Sequence, residues 1–168
     1  MKIVVKKLTD ESLMRRACEM TCTGNGKKSN LPLAKIYDCE HSPIRTQLFF
    51  IEMIGVPTFV SVHFVRHKIG VEHFVSTNRE DRGGHKEAHR QTPVNHGMLV
   101  NAQALINMAR KRLCYKASPE TLATMKAIKD EIAKVDPDLA KFMVAECLYR
   151  RGCHELKSCG WYAKEVEK

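Results

Sequence analysis

The sequence predicts a helix-dominated α+β fold, and three observations carry that prediction. First, short apolar runs such as Ile3-Val4-Val5 and Gln47 to Ile54 have the residue types of strands. Second, several longer stretches pair a good helix start with an apolar stripe; Ser118-Pro119-Glu120 opens one whose buried face is Leu122, Met125, Ile128 and Ile132. Third, the chain has 168 residues, 43% hydrophobic and 28% charged, with no internal repeat or low-complexity tract. That suits a single domain over 1–168 with a substantial core.

In chain order, Lys2 to Leu8 reads as a first strand, and Asp10 can cap a helix running through Cys22, with Leu13, Met14, Ala17 and Cys18 on one stripe. Thr23 to Asn30 is a polar, glycine-broken loop whose glycine and lysine spacing is wrong for a phosphate-binding P-loop. Leu31 to Asp38 fits a short helix, and His41-Ser42-Pro43-Ile44 is a turn leading into the Gln47–Ile54 strand. Thr58 to Val65 fits either state. Its β-branched and aromatic content favours a strand, whereas Pro57 at a first helical position and Val60, His63, Phe64 and His67 at helical spacing favour a helix. Arg79 to Asn95 reads as a loop or short helix. Met98 to Leu113 reads as an amphipathic helix, with Leu99, Ala102, Ile106 and Ala109 opposite the polar stripe Gln103, Asn107 and Arg110. Asp136-Pro137 starts a last helix through Leu148.

The formal charge of +9 suits a polyanionic ligand, a nucleotide or a nucleic acid, and equally a solvated basic surface. Met1 to Leu8 lacks the apolar core of a secretory signal, and Leu48 to Val65 is interrupted by Glu52, Gly55, Pro57 and His63, so neither export nor a membrane span is expected. Seven cysteines without a regular framework then fit reduced thiols in the cytoplasm.

The chemistry concentrates where an apolar run ends in Arg66-His67-Lys68, followed after seven residues by Ser76 and then Asn78-Arg79. Arg supplies a planar fork, Lys a point charge and His a tunable donor, which together suit an anionic ligand with flat, hydrogen-bonding rings. This spacing resembles the Arg-His-Arg, seven residues, Ser signature of the flavin-dependent thymidylate synthases. Further stretches are similar to that family in the same order. Glu40-His41-Ser42-Pro43 resembles its His-Glu-Thr-Pro turn, and Thr92-Pro93-Val94-Asn95 its Leu-Pro-x-Asn segment. Asn101-Ala102-Gln103-Ala104-Leu105-Ile106-Asn107 with Arg112 resembles its Asn-Ala-Arg-Ser-Leu-x-Asn helix and trailing arginine.

The resemblance implies a divergent, shortened member with an α+β fold carrying a small antiparallel sheet, and it selects the helix for Thr58–Val65. It also implies a homotetramer with flavin adenine dinucleotide (FAD) at subunit interfaces. The implied activity is transfer of a one-carbon unit from methylenetetrahydrofolate to C5 of a pyrimidine deoxynucleotide monophosphate, dUMP or a close variant, with NADPH as reductant. On this reading Ser42, Arg66, His67, Lys68, Asn101, Gln103 and Asn107 bind cofactor, while His63, Ser76, Arg79, Arg90 and Arg112 bind the nucleotide. Arg112 also polarises the pyrimidine, and Ser76, with no base near it in sequence, serves binding rather than nucleophilic attack. Lys68 stands where the family has Arg, Asn78-Arg79 where it has Arg-Tyr, Phe74 where it has Glu, His63 where it has Gln, and Gln103 where it has Arg.

Two other readings compete. A flavin-binding relative without thymidylate synthesis keeps the fold and loses turnover. A basic nucleic-acid-binding module uses the charge, but no binding motif supports it and 7% aromatic residues offer few stacking platforms, so no nucleic-acid partner is expected. No metal is expected either. His85 and His89 lack a third ligand, and the five-residue gaps between Cys147, Cys153 and Cys159, with His154, are wider than those of ordinary zinc knuckles.

Overall fold

The structure, a computed structural model, describes residues 1–21, 30–84 and 86–166. Most of the expected glycine-broken loop, Cys22 and His85 lie outside the described residues.

Four strands form one antiparallel sheet in the order β1-β2-β4-β3: β1 (Lys2–Lys7), β2 (Leu48–Pro57), β3 (Val71–Val75) and β4 (Pro93–Asn101). Alternation sorts the side chains. Phe49, Ile51, Met53 and Val56 of β2, and Val94, His96, Met98 and Val100 of β4, are buried on one face. Phe50, Glu52, Ile54, Glu72 and Phe74 point to the other, more open face. Between Met53 and Val56 the register slips, and Gly55, at φ +71°, adopts the left-handed backbone that the bulge requires. Edge strand β1 exposes Lys2 and Lys6, charges that disfavour further strand pairing.

The helices are α1 (Glu11–Thr21), α2 (Leu33–Asp38), α3 (Thr58–Val65), α4 (Ala102–Arg112), α5 (Pro119–Val135), α6 (Pro137–Phe142), α7 (Glu146–Tyr149) and α8 (Trp161–Glu165), with 3-10 turns at Ser42–Thr46 and Glu80–Arg82. Among the described residues, no helix is long and apolar enough to cross a membrane. The core is a contiguous cluster including Met14, Tyr37, Phe49, Phe64, Leu105 and Ile128. Asp136, 3% exposed, ties its far end together. It ends α5, caps α6 by accepting from the Leu139 N–H (3.0 Å), pairs with Lys7 (2.7 Å) and accepts from the Tyr37 hydroxyl (2.8 Å). Burial first, and then the Asp136 carboxylate, push the Tyr37 pKa up and keep that hydroxyl a donor.

Helix α3 confirms the choice of helix for Thr58–Val65, with Pro57 as its cap rather than its first residue. Three boundaries are corrected. The segment from Met98 to Asn101 belongs to β4, so the helix begins at Ala102, where Asn101 caps it by accepting from the Ala104 N–H at 2.9 Å. Pro93 to Asn95 starts that same strand instead of ending a loop, and β3 was not foreseen. The last expected helix breaks after Phe142 and resumes as the single turn α7. In the first two cases sheet pairing, a non-local interaction, overrode local periodicity.

Candidate functional site

Helix α3 is anchored at its start, where Thr58 Oγ1 donates to the Thr92 carbonyl (2.8 Å) and the Phe59 N–H to the Arg90 carbonyl (3.1 Å). At its end Arg66 is the cap residue and the His67 N–H bonds back to the Phe64 carbonyl at 2.9 Å. The basic triplet therefore sits at a helix C-terminus, where the helix dipole favours cations. Gly70 turns the chain from this end into β3 at φ +74°, and a Cβ there would lie 2.4 Å from Asn101 Nδ2. The Asn101 N–H donates to the Gly70 carbonyl at 3.0 Å. Asn101 thus caps α4 and seats the loop behind the triplet at once.

These contacts bring Arg66, His67 and Lys68 against α4. Together with Ile69, Ala104 and Asn107 they line one open cleft, and among the described residues no carboxylate lines it.

Arg112, in the last turn of α4, fixes the middle residue of the triplet. Its Nε donates to His67 Nε2 (2.9 Å) and its Nη2 to the His63 carbonyl (2.6 Å). Burial, then Arg112, then His73 lower the His67 pKa from 6.5 to about 4. The ring is therefore neutral near pH 7. Because Nε2 accepts from a guanidinium that cannot give up its proton, the remaining proton sits on Nδ1, which is left as a donor. His63 is lowered too, by burial first and then by Arg112, Arg66 and Arg90. Its Nδ1 meets the Thr121 hydroxyl at 2.8 Å. Among the described residues, Arg66, Lys68, Arg90 and Arg112 have no acidic partner, so the positive charge here is uncompensated. Such a cluster favours an anion.

A buried polar chain runs beneath the triplet. His73 Nε2 lies 2.7 Å from the His67 carbonyl, His73 Nδ1 lies 2.9 Å from His96 Nε2, and His96 Nδ1 lies 2.9 Å from Ser61 Oγ. A carbonyl only accepts, so His73 Nε2 donates to it, and with both rings neutral the other donors follow in sequence. His73 carries its proton on Nε2, His96 on Nε2, and Ser61 donates to His96 Nδ1. His96 is 1% exposed, and its pKa is lowered to about 4 by burial and then by His73. His73, His96 and Ser61 were missed from the sequence. The signal was available for His96: a histidine at an inward position between Val94 and Met98 needs a buried partner.

The other expected residues divide. Gln103 Nε2 donates to Glu40 (2.6 Å) and to Asn107 Oδ1 (3.3 Å), while Arg110 pairs with Glu40, donates to Asn107 Oδ1 (3.2 Å) and lies 3.5 Å from the Tyr149 ring centroid. The polar stripe of α4 is thus largely occupied in gripping Glu40, and only Asn107 also reaches the triplet cleft. Glu40 holds its place at φ +47°, a backbone conformation uncommon outside glycine. Ser42 is exposed at the head of its 3-10 turn. Ser76 sits in a separate groove on the open sheet face with Phe74, Asn95 and Gly97, where its Oγ accepts from the Asn95 N–H at 3.0 Å. Arg79 is chelated by Asp81 (2.9 and 2.7 Å). Arg90 stacks its guanidinium over Phe59 at 4.6 Å. His73 is the link between the two regions, since it lines the Ser76 groove and bonds the His67 carbonyl.

No family model matches the chain, and no curated protein matches it in sequence. Solved structures do match in fold. A Helicobacter pylori thymidylate synthase X with FAD and dUMP aligns at TM-score 0.69 and 13% identity, over 86% of this chain and 99% of that one. A second structure of the flavin-dependent enzyme from the same organism, also complexed with FAD and dUMP, aligns at TM-score 0.71 and 12% identity, over 86% of this chain and 100% of that one. A UMP/dUMP methylase, PolB from Streptomyces cacaoi, bound with 5-Br dUMP, aligns at TM-score 0.61 and 12% identity, over 86% and 97%. The chain therefore has the fold of the flavin-dependent thymidylate synthases.

Proposed function

We propose that this protein is a flavin-dependent enzyme that transfers a one-carbon unit to C5 of a pyrimidine deoxynucleotide monophosphate, dUMP or a close variant. The observation that carries the reading is the convergence of Arg66, His67, Lys68 and Asn107 on one acid-free cleft, with Arg112 locked behind His67. The fold, shared with enzymes crystallised with FAD and dUMP, supports it independently.

The donor set fits an electron-rich, anionic cofactor. Arg66 and Lys68 supply uncompensated positive charge for phosphate. His67 presents an Nδ1–H, fixed in tautomer by Arg112, and Asn107 presents an amide, both suited to ring carbonyls and to charge on a reduced ring. Bound FAD would supply the redox chemistry, with methylenetetrahydrofolate as carbon donor and NADPH as reductant. Arg112 keeps Nη1 without a hydrogen bond among the described residues, a donor for a pyrimidine carbonyl. Withdrawing electron density there steadies the charge that develops as C5 attacks. Ser76 binds and does not attack, since its Oγ meets a backbone N–H rather than a base. Ser76 and Arg79 stand apart from the triplet cleft in the single chain, as expected if neighbouring copies of a homotetramer complete each site.

The test is release of tritium from C5-labelled dUMP with FAD, methylenetetrahydrofolate and NADPH present. Release that depends on all three supports the enzyme. Flavin binding without release from dUMP, UMP or dCMP points to the relic, and a colourless protein whose nucleic-acid affinity falls steeply with salt points to the basic module.

A further inference from the structure

The C-terminal segment poses a physical problem. From Glu146 to Val166 no residue is buried, and Leu156 is wholly exposed. A stretch of that length with two helices of only four and five residues has no apolar core to repay its ordering. Its contacts with the body include the Arg110 guanidinium over the Tyr149 ring at 3.5 Å, the Tyr115 and Trp161 rings, 5.2 Å apart between centroids, and a loose Lys111–Glu155 pair at 3.9 Å, all at its surface. Something else must hold it.

Four cysteines gather there. Cys147, Cys153 and Cys159 come from the segment, and Cys114, which sequence order hides far upstream, comes from the end of α4. All four line one enclosed cavity of about 20 Å³, room for a single ion or water. The sulfurs are also met by donors. Cys114 Sγ accepts from the Lys116 N–H at 3.5 Å, two residues on. Cys153 repeats the pattern with the Glu155 N–H and is also met by the Ser158 side chain. Two turns thus aim an N–H at a sulfur two residues earlier, a donor of the kind that steadies and orients a sulfur held by a metal.

We propose that Cys114, Cys147, Cys153 and Cys159 bind one zinc ion, which pins the C-terminal segment to the end of α4. Four cysteines lining one small cavity supply a soft sulfur donor set, the kind that structural zinc takes in tetrahedral sites. Each thiol releases its proton to solvent as its sulfur binds, and the zinc stays divalent throughout. Among the described residues no three His, Cys, Asp or Glu side chains already stand in metal-holding geometry, so the thiols close inward as the ion enters. Binding is thereby coupled to ordering of the segment. The role is structural and independent of the flavin reading.

The test needs neither flavin nor nucleotide. Full-length protein, purified under reducing conditions and then dialysed, is measured for zinc and for fast-reacting thiols before and after chelation. The expected result is one zinc per chain, four thiols unmasked on its removal, and a tetrahedral thiolate spectrum on cobalt replacement. Cys153→Ser and Cys159→Ser should each lower zinc at least tenfold, whereas Cys39→Ser and His154→Ala should retain it. Absence of zinc after reconstitution, iron instead of zinc, a mass deficit marking disulfides, or loss of zinc in His154→Ala would each overturn the assignment.

Discussion

His67 shows how a single residue acquires its chemistry from the groups around it. An isolated histidine titrates near neutrality, but here burial and the Arg112 guanidinium make it neutral and put its proton on Nδ1. Arg112 was expected only at the pyrimidine; the structure also makes it the support of His67. We therefore predict that Arg112→Ala lowers flavin retention as well as methyl transfer. Losing a charged hydrogen bond costs about 1.5–3 kcal/mol, so cofactor affinity should fall roughly ten- to a hundredfold, measured by flavin fluorescence titration. Affinity equal to the wild type would mean that Arg112 acts on the nucleotide alone. At this scale the sequence was informative about the triplet, whose three bases are adjacent in the chain. It could flag His96 as an inward histidine in need of a partner but was silent about His73 and Ser61, which meet it only through strand pairing and packing.

The elements that carry these residues explain both the successes and the misses. Helix starts with strong side-chain caps, such as Ser118 before α5 and Asp136 before α6, were legible because a cap is a local interaction. The β4–α4 junction was not. Met98 and Leu99 fit a helical stripe, yet β4 is held by neighbours on both sides, and those partners lie far away in sequence. Gln103 and Asn107, expected to bind cofactor, lie on the polar stripe of α4, where Gln103 and Arg110 also grip Glu40. The tightest elemental constraint is the turn at Gly70, where a side chain would meet both an unfavourable positive φ and the Asn101 amide. Gly70→Ala is predicted to destabilise the protein by about 1–3 kcal/mol, measured by urea unfolding, and to weaken flavin binding further than stability alone explains. A variant with wild-type stability and flavin content would show that the loop does not position the triplet.

For the whole molecule, the buried histidines set a direction of pH dependence. His67 and His96 have folded pKa values near 4 against the usual 6.5. Between those values the unfolded chain binds more protons than the folded one, so stability is fully present above about 6.5 and declines as pH falls towards 4. The urea midpoint should fall across that window, and His96→Gln should flatten the decline. A midpoint unchanged from pH 7 to 4.5 would mean that neither ring is held neutral by the fold. The charge of +9 also bears at this scale, because among the described residues Arg66, Arg90 and Arg112 have no acidic partner, an arrangement that favours an anion.

The central claim is that the triplet cleft holds an isoalloxazine dinucleotide. The most direct measurement is titration of flavin-free protein with FAD, followed by absorbance and fluorescence, beside the His67→Ala variant. Saturable binding by the wild type, with the variant roughly ten- to a hundredfold weaker, is the predicted result. A wild type that leaves the FAD spectrum and fluorescence unchanged, or a variant that binds equally well, would contradict it.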